Sequence, residues 1–127
     1  MPLVRIDMRK GKSPEYRREL GDAVYHAMVE AIGAPEGDQF EIIAEHDESG
    51  LIFNPNYQGI DRSDDVVFVQ IFLNEGRSVE QKKALYAKIV ELLGAKPGIR
   101  RQDVVINLVE VSKADWSWGN GEAQYVT

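Results

Sequence analysis

The stretch VVFVQIFL at residues 66–73 is a nearly continuous apolar run, and SVEQ at 78–81 follows it. A short run rich in β-branched and aromatic residues predicts a strand buried on both faces. SVEQ has the form of a capping box and predicts the start of a helix. Apolar residues then recur at helical spacing as far as Gly94: Leu85, Ile89, Leu92 and Leu93. With VVINLV at 104–109, the second half predicts strand–helix–strand.

The first half carries the same pattern. PLVRIDM at 2–8 alternates loosely and predicts a strand. SPE at 13–15 supplies an N-cap, a first-turn proline and an acidic residue. Apolar residues follow at helical spacing until Gly33 ends the segment: Leu20, Val24, Ala27, Met28 and Ala31. FEIIAE at 40–45 predicts the second strand.

Two βαβ units predict an α+β protein, a two-layer sandwich of one four-stranded sheet with both helices on one face. We expect a single domain over 1–127, with halves at about 1–60 and 61–127. The polar segment 46–64 is long for a connection and indicates either function or a short hidden strand. Because the strands are apolar on both sides, the uncovered sheet face predicts a homo-oligomer.

Composition excludes several kinds of protein. The 127 residues include no cysteine and carry a net charge of −6, which excludes disulfides and thiol catalysis and argues against a nucleic-acid surface. No apolar run is long enough to span a membrane, and residues 1–12 lack the apolar core of a signal peptide. Two separated histidines without a ligand pattern make a metal site unexpected. The composition predicts a cytoplasmic protein.

The chain resembles the tautomerase superfamily, whose members begin Met-Pro and are built from βαβ units. Two units in one chain are similar to the longer branch typified by malonate semialdehyde decarboxylase. The resemblance covers the whole length and rests on the order and spacing of several segments: Met1-Pro2-Leu3, Asp38-Gln39-Phe40, Gly76-Arg77-Ser78, residues 81–86, Gly98-Ile99 and residues 115–119.

This resemblance implies that Pro2 is the catalytic amine once Met1 has been removed. A free prolyl nitrogen is a secondary amine, and an ordinary α-amino group titrates at about 7.7–8.0. Apolar burial favours its neutral, basic form, whereas nearby carboxylates favour the cation. If Met1 is retained, the nitrogen of Pro2 is an amide and this chemistry is lost.

The resemblance also implies roles for other residues. Arg77 matches an arginine that binds the substrate carboxylate, and Asp38 matches the acid that works with the proline. Glu75 stands where the decarboxylase branch carries a second arginine, which weakens the decarboxylase interpretation. Arg62 or Arg5 could replace that arginine, but the sequence selects neither. Aromatic residues near the C-terminus are expected to form the pocket wall and bind substrate: Trp116, Trp118 and Tyr125.

We therefore expect a cofactor-free enzyme acting on a small oxo acid, assembled as a homotrimer. Tautomerisation ranks slightly above decarboxylation or hydration because of Glu75. A non-catalytic oligomeric binding protein and a ferredoxin-like ligand-binding domain are the other classes. His26, His46 and Tyr57 are expected to be structural rather than catalytic.

Overall fold

The computed structural model describes residues 2–126, so the expected removal of Met1 falls outside the described residues. These residues form four strands and two long helices, joined by loops with short 3₁₀ turns. Their bounds are β1 Leu3–Arg9, α1 Pro14–Ile32, β2 Glu41–His46, β3 Val67–Asn74, α2 Val79–Ala95 and β4 Val104–Val111. Neither helix is long and apolar enough to cross a membrane.

The strands form one mixed sheet in the order β2-β1-β3-β4. β1 is parallel to β2, and β3 is parallel to β4, while β1 and β3 pair antiparallel at the centre. Each parallel pair encloses one helix in the chain, so the predicted βαβ units and four-stranded sheet are confirmed. Both helices share one core with alternate strand residues; its helical members include Leu20, Val24, Met28, Leu85, Ile89 and Leu93.

The helix ends follow the local sequence signals closely. The Ser13 hydroxyl accepts a hydrogen bond from the Tyr16 backbone N–H at 3.0 Å, which caps α1. Gly33 ends α1 with φ 69°, a left-handed conformation that glycine adopts without strain. The predicted capping box of α2 is present, whereas α2 extends one residue past the predicted end at Gly94.

The prediction that 66–73 is buried on both faces is wrong for the single chain. Burial alternates along β3, so only one face points into the helix-covered core. On the other face Phe68 and Phe72 are half-buried, and the Gln70 amide donates to Asn107 Oδ1 at 3.1 Å. This second face is therefore partly polar and partly open.

The long connection between β2 and β3 contains a 3₁₀ turn at Tyr57–Gly59 rather than a strand. Asp103 lies just before β4 and binds the end of this long connection. Its side chain is buried, with 1% exposed. Its carboxylate accepts from Ser63 N and Ser63 Oγ, both at 2.7 Å, and from Arg100 Nε at 3.1 Å. Burial opposes ionisation, but these hydrogen bonds hold the pKa of the Asp103 carboxyl below its usual range.

Asp103→Asn is expected to lower the free energy of unfolding by about 2 kcal/mol, because a charged acceptor shared by three donors becomes a neutral amide. Urea denaturation measures this loss. Asp115→Asn is the matched control: that carboxylate also accepts from a serine backbone N–H and hydroxyl, those of Ser112, but it is exposed. Equal losses in the two variants would contradict a special role for buried Asp103.

Candidate active site

Pro2 lies at the sheet end where the chain segments of the candidate site converge. It is buried and directly precedes β1, whose residue Leu3 pairs with Phe72 near the end of β3. On the other side, the Val4 N–H donates to the Phe40 carbonyl at 2.9 Å, just before β2 begins. The antiparallel centre of the sheet therefore brings the starts of β1 and β2 to the ends of β3 and β4.

An aromatic cluster forms from the segment after β4 and the residue before β2. The rings of Trp116 and Trp118 stack with centroids 4.8 Å apart, and Phe40 lies 4.7 Å from Trp118. Tyr125 meets Trp118 edge-on at 6.4 Å. Gln124 holds the segment in place, because its amide oxygen accepts from the Trp118 backbone N–H at 2.8 Å.

Arg77 is linked to this cluster through Asn74, the last residue of β3. The Trp116 indole donates to Asn74 Oδ1 at 2.7 Å, and Arg77 Nη1 donates to the Asn74 backbone carbonyl at 2.9 Å. Arg77 is half-buried in the loop before α2. Only Nη1 makes this contact, so the other N–H groups of the planar guanidinium can donate to a bound carboxylate.

Two polar atoms of the cluster, Trp118 Nε1 and the Tyr125 hydroxyl, are buried. They lie close enough to influence each other, but neither has a hydrogen bond of good geometry to the other or to any other group among residues 2–126. Burial raises the pKa of Tyr125; the nearby Trp118 indole opposes this shift and the charge of Asp38 adds to it. The influence of Asp38 shows that it lies near the cluster. Buried donors left unpaired are costly, and a polar ligand would satisfy them.

Glu75 is exposed, and its backbone N–H donates to the Val111 carbonyl at 2.8 Å. The position where the resemblance predicts a second arginine is therefore occupied by an acidic side chain, two residues before Arg77. A negative charge here disfavours a second carboxylate contact from this position.

The residues expected to be structural lie elsewhere. His26 is exposed on α1, and Tyr57 is exposed in the long loop. His46 is the last residue of β2, not the first of the loop, and its Nε2 lies 2.6 Å from Asp7 Oδ1. Because β2 begins at the Pro2 end, His46 lies at the opposite end of the strand.

Other surface features of the described chain do not coincide with this cluster. A depression of about 810 Å³ lies between the loop at 59–61, α2 and residues 101–102. Its lining includes none of the candidate residues, so we assign the site by its converging polar groups rather than by cavity size. Within residues 2–126, no group of three His, Asp or Glu side chains is arranged to hold a metal ion.

Sequence reasoning missed Asn74 and Phe40 as parts of the site. Asn74 is the first polar residue after the apolar run 66–73, a position that opens into the loop carrying Arg77. Phe40 directly follows Asp38-Gln39, and the sequence assigned it to a strand and to the family resemblance but not to the site. In both cases the signal was a residue at the boundary of a strand, where side chains leave the core.

The fold and this cluster define a two-unit βαβ protein with a buried proline at the end of its sheet. Two protein-family profiles, both described as tautomerase enzyme, match residues 38–119 and residues 2–59. The chain belongs to the tautomerase superfamily, in its longer two-unit type, and is an enzyme of the tautomerase or related decarboxylase class.

Known relatives agree with this assignment. The probable tautomerase YusQ of Bacillus subtilis is 36% identical over 126 residues, covering 99% of each chain. The crystal structure of a malonate semialdehyde decarboxylase inhibited by 3-bromopropiolate is 41% identical, with TM-score 0.90 over 98% of this chain and 94% of that one. A fused 4-OT, described as a symmetric trimer, is 27% identical, with TM-score 0.77 over 94% of each chain.

Proposed function

We propose that this protein tautomerises a small oxo acid without a cofactor, using Pro2 as the general acid and base. The observation that carries the proposal is the convergence at one sheet end of buried Pro2, half-buried Arg77 and the aromatic cluster with its unpaired donors. Burial away from water favours the neutral form of an amine, which can take a proton, and Pro2 is buried.

Each group has a distinct role in this reaction. Arg77 grips the substrate carboxylate through parallel charge-assisted hydrogen bonds. Trp116, Trp118 and Tyr125 wall the pocket, with the last two offering donors to the carbonyl or enol oxygen. Neutral Pro2 takes a proton from one atom of the conjugated acid and returns it to another, so no proton is gained or lost overall. Asp38 assists by holding the charge that appears on Pro2.

Decarboxylation of a 3-oxo acid is the second candidate, favoured by the 41% identity to a malonate semialdehyde decarboxylase. Cationic Pro2 polarises the carbonyl while the bond to the carboxylate carbon breaks. Carbon dioxide leaves, the electron pair moves toward the carbonyl oxygen, and a proton replaces the lost carbon. The same site hydrates an unsaturated acid if Asp38 activates water. We rank both reactions below tautomerisation because the acidic Glu75 stands where a second carboxylate-binding arginine is expected.

Turnover of phenylpyruvate enol and of malonate semialdehyde, measured side by side, tests the proposal. Mass spectrometry first confirms that the chain begins at Pro2. Ketonisation without carbon dioxide release supports the tautomerase, whereas carbon dioxide release alone makes the decarboxylase correct. If Met1 proves to be retained and neither substrate is turned over, the non-catalytic binding protein replaces both.

We propose further that the protein is a homotrimer in which the open sheet face meets other copies. The trimeric fused 4-OT supports this, as do two exposed apolar side chains on that face at the sheet edge, Phe40 at 46% and Ile42 at 48%. We place the enzyme in the cytoplasm, which suits a chain without cysteine.

Ile42→Glu is therefore expected to shift the sedimenting species from three subunits to one, because a charge would be buried between copies. Analytical ultracentrifugation measures the change. Val79→Glu is the matched control, since Val79 is 64% exposed at the start of α2 in the helical layer. A monomeric wild type, or dissociation by both variants alike, would contradict this arrangement.

A further inference from the structure

A glutamine side chain bridges two carboxylates where the chain enters β2. Gln39 Nε2 donates to Asp22 Oδ1 at 3.1 Å and to Glu41 Oε1 at 2.8 Å. Asp22 belongs to α1, and Glu41 is the first residue of β2. The bridge, which we call the Asp22–Gln39–Glu41 clamp, therefore fastens to α1 the segment that carries Asp38 and Phe40.

The helix makes room for this clamp. Gly21 is buried within α1, and a Cβ added there would lie 2.6 Å from Glu41 Oε1 and 3.2 Å from Ile43 Cδ1. A helix interior otherwise favours alanine over glycine. The glycine therefore lets the Glu41 carboxyl lie against the helix backbone. Glu41 Oε2 is buried there without a hydrogen-bond partner among residues 2–126.

The surroundings of Glu41 bring the pKa of its carboxyl close to neutral pH. Burial raises the pKa of Glu41 to about 7; the Gln39 hydrogen bond opposes the shift and the negative charge of Asp22 adds to it. Asp22 on α1 is the charged group that acts on Glu41. Above this pH Glu41 is charged as well, so the Gln39 amide donates to two anions. The buried Glu41 Oε2 then carries negative charge without a hydrogen-bond donor.

We propose that Glu41 is a positioning residue of the candidate site, which docks residues 38–40 on α1 when it is protonated and loosens them when it is ionised. Phe40 contacts Trp118, and Asp38 lies near Tyr125, so docking of this segment sets one wall of the site. The effect on turnover rests on the proposed function, whereas the docking itself does not.

Tryptophan fluorescence tests the docking without any substrate. The chain has two tryptophans, and both belong to the aromatic cluster beside Phe40. A pH titration of the wild type is expected to show an emission change with its midpoint near pH 7, and Glu41→Gln should abolish it. Glu45→Gln should retain it, since that β2 carboxylate pairs instead with Arg17 at 2.9 Å.

Gly21→Ala provides an independent test that leaves Glu41 in place. The added methyl group displaces the carboxyl toward water, so the fluorescence midpoint should fall by about one pH unit or more as the desolvation is relieved. Circular dichroism verifies that α1 persists. An unchanged midpoint in the folded variant, or a wild-type transition that survives Glu41→Gln, would overturn the proposal; in the latter case another group, such as the Pro2 amine, titrates.

Kinetics then separate the two proposals. The pH profile of kcat/KM should lose its limb near pH 7 in Glu41→Gln, while kcat at pH 6, where the wild-type carboxyl is mostly protonated, stays within about twofold. If turnover is unaffected by loss of the Pro2 amine but the fluorescence transition depends on Glu41, only the proposed function fails. If turnover needs Pro2 but neither the fluorescence nor the pH profile depends on Glu41, the positioning role alone fails.

Discussion

Replacing Pro2 with alanine is expected to reduce kcat for ketonisation by about 10²- to 10⁴-fold, the usual contribution of a positioned general acid or base. Alanine also leaves a free amine after Met1 is removed, but that amine is primary and is not fixed by a ring. Pro2 is buried beside the strand pair Leu3–Phe72, so its ring is held by packing. Steady-state kinetics on enzyme of verified mass measures the loss.

A preparation that retains Met1 is the internal control for this prediction. Its Pro2 ring is unchanged, but the nitrogen is an amide without a basic lone pair. It should therefore be at least as inactive as Pro2→Ala. Full activity in the Met1-retaining form would show that the amine is not the catalyst, and would also remove the decarboxylase alternative, which uses the same nitrogen.

The architecture was predictable because its signals are local. Capping by Ser13 and Ser78, and helical periodicity after each, specified both helices within a few residues. The apolar run 66–73 correctly predicted a strand, β3. Its second face was misjudged, since a run of apolar residues does not reveal which neighbours lie opposite. Gln70 pairs with Asn107, a partner that only the sheet register supplies.

Contacts between distant segments account for what sequence reasoning missed. Asp103 precedes β4 but is held by Ser63, in a different loop. Glu41 lies in the strand predicted over residues 40–45, but the sequence does not specify which face of the sheet it occupies. The consecutive Ile42 and Ile43 make either face plausible, and the structure turns Glu41 toward α1 with Ile42 outward. Such choices depend on where the helix crosses the sheet, which periodicity does not specify.

The sequence proposed residues for the candidate site but not the contacts between them. Arg77 and Trp116 came from the resemblance, whereas their common anchor at Asn74 came only from the structure. This anchor matters for mechanism. It couples the orientation of the proposed carboxylate-binding group to the stacked tryptophans, so a change at Asn74 would disturb both together.

Arg77→Ala is expected to lower kcat/KM by about 10²-fold, mainly through a higher KM, because the substrate carboxylate loses two charge-assisted hydrogen bonds. Steady-state kinetics with phenylpyruvate enol measures this. Stability should change little, since Arg77 is half-buried and makes one hydrogen bond, to the Asn74 carbonyl. Arg18→Ala is the matched control, because Arg18 is an exposed residue of α1.

Two further variants distinguish charge from geometry at this position. Arg77→Lys keeps the positive charge but loses the planar fork, so it should recover only part of the affinity. Glu75→Arg introduces the second arginine that the resemblance predicts. It should strengthen carboxylate binding when Arg77 is present, but it should leave the raised KM of Arg77→Ala largely unchanged. If Glu75→Arg instead rescues Arg77→Ala fully, carboxylate binding depends on the total charge of the loop. Arg77 would then be one interchangeable cation rather than the specific anchor.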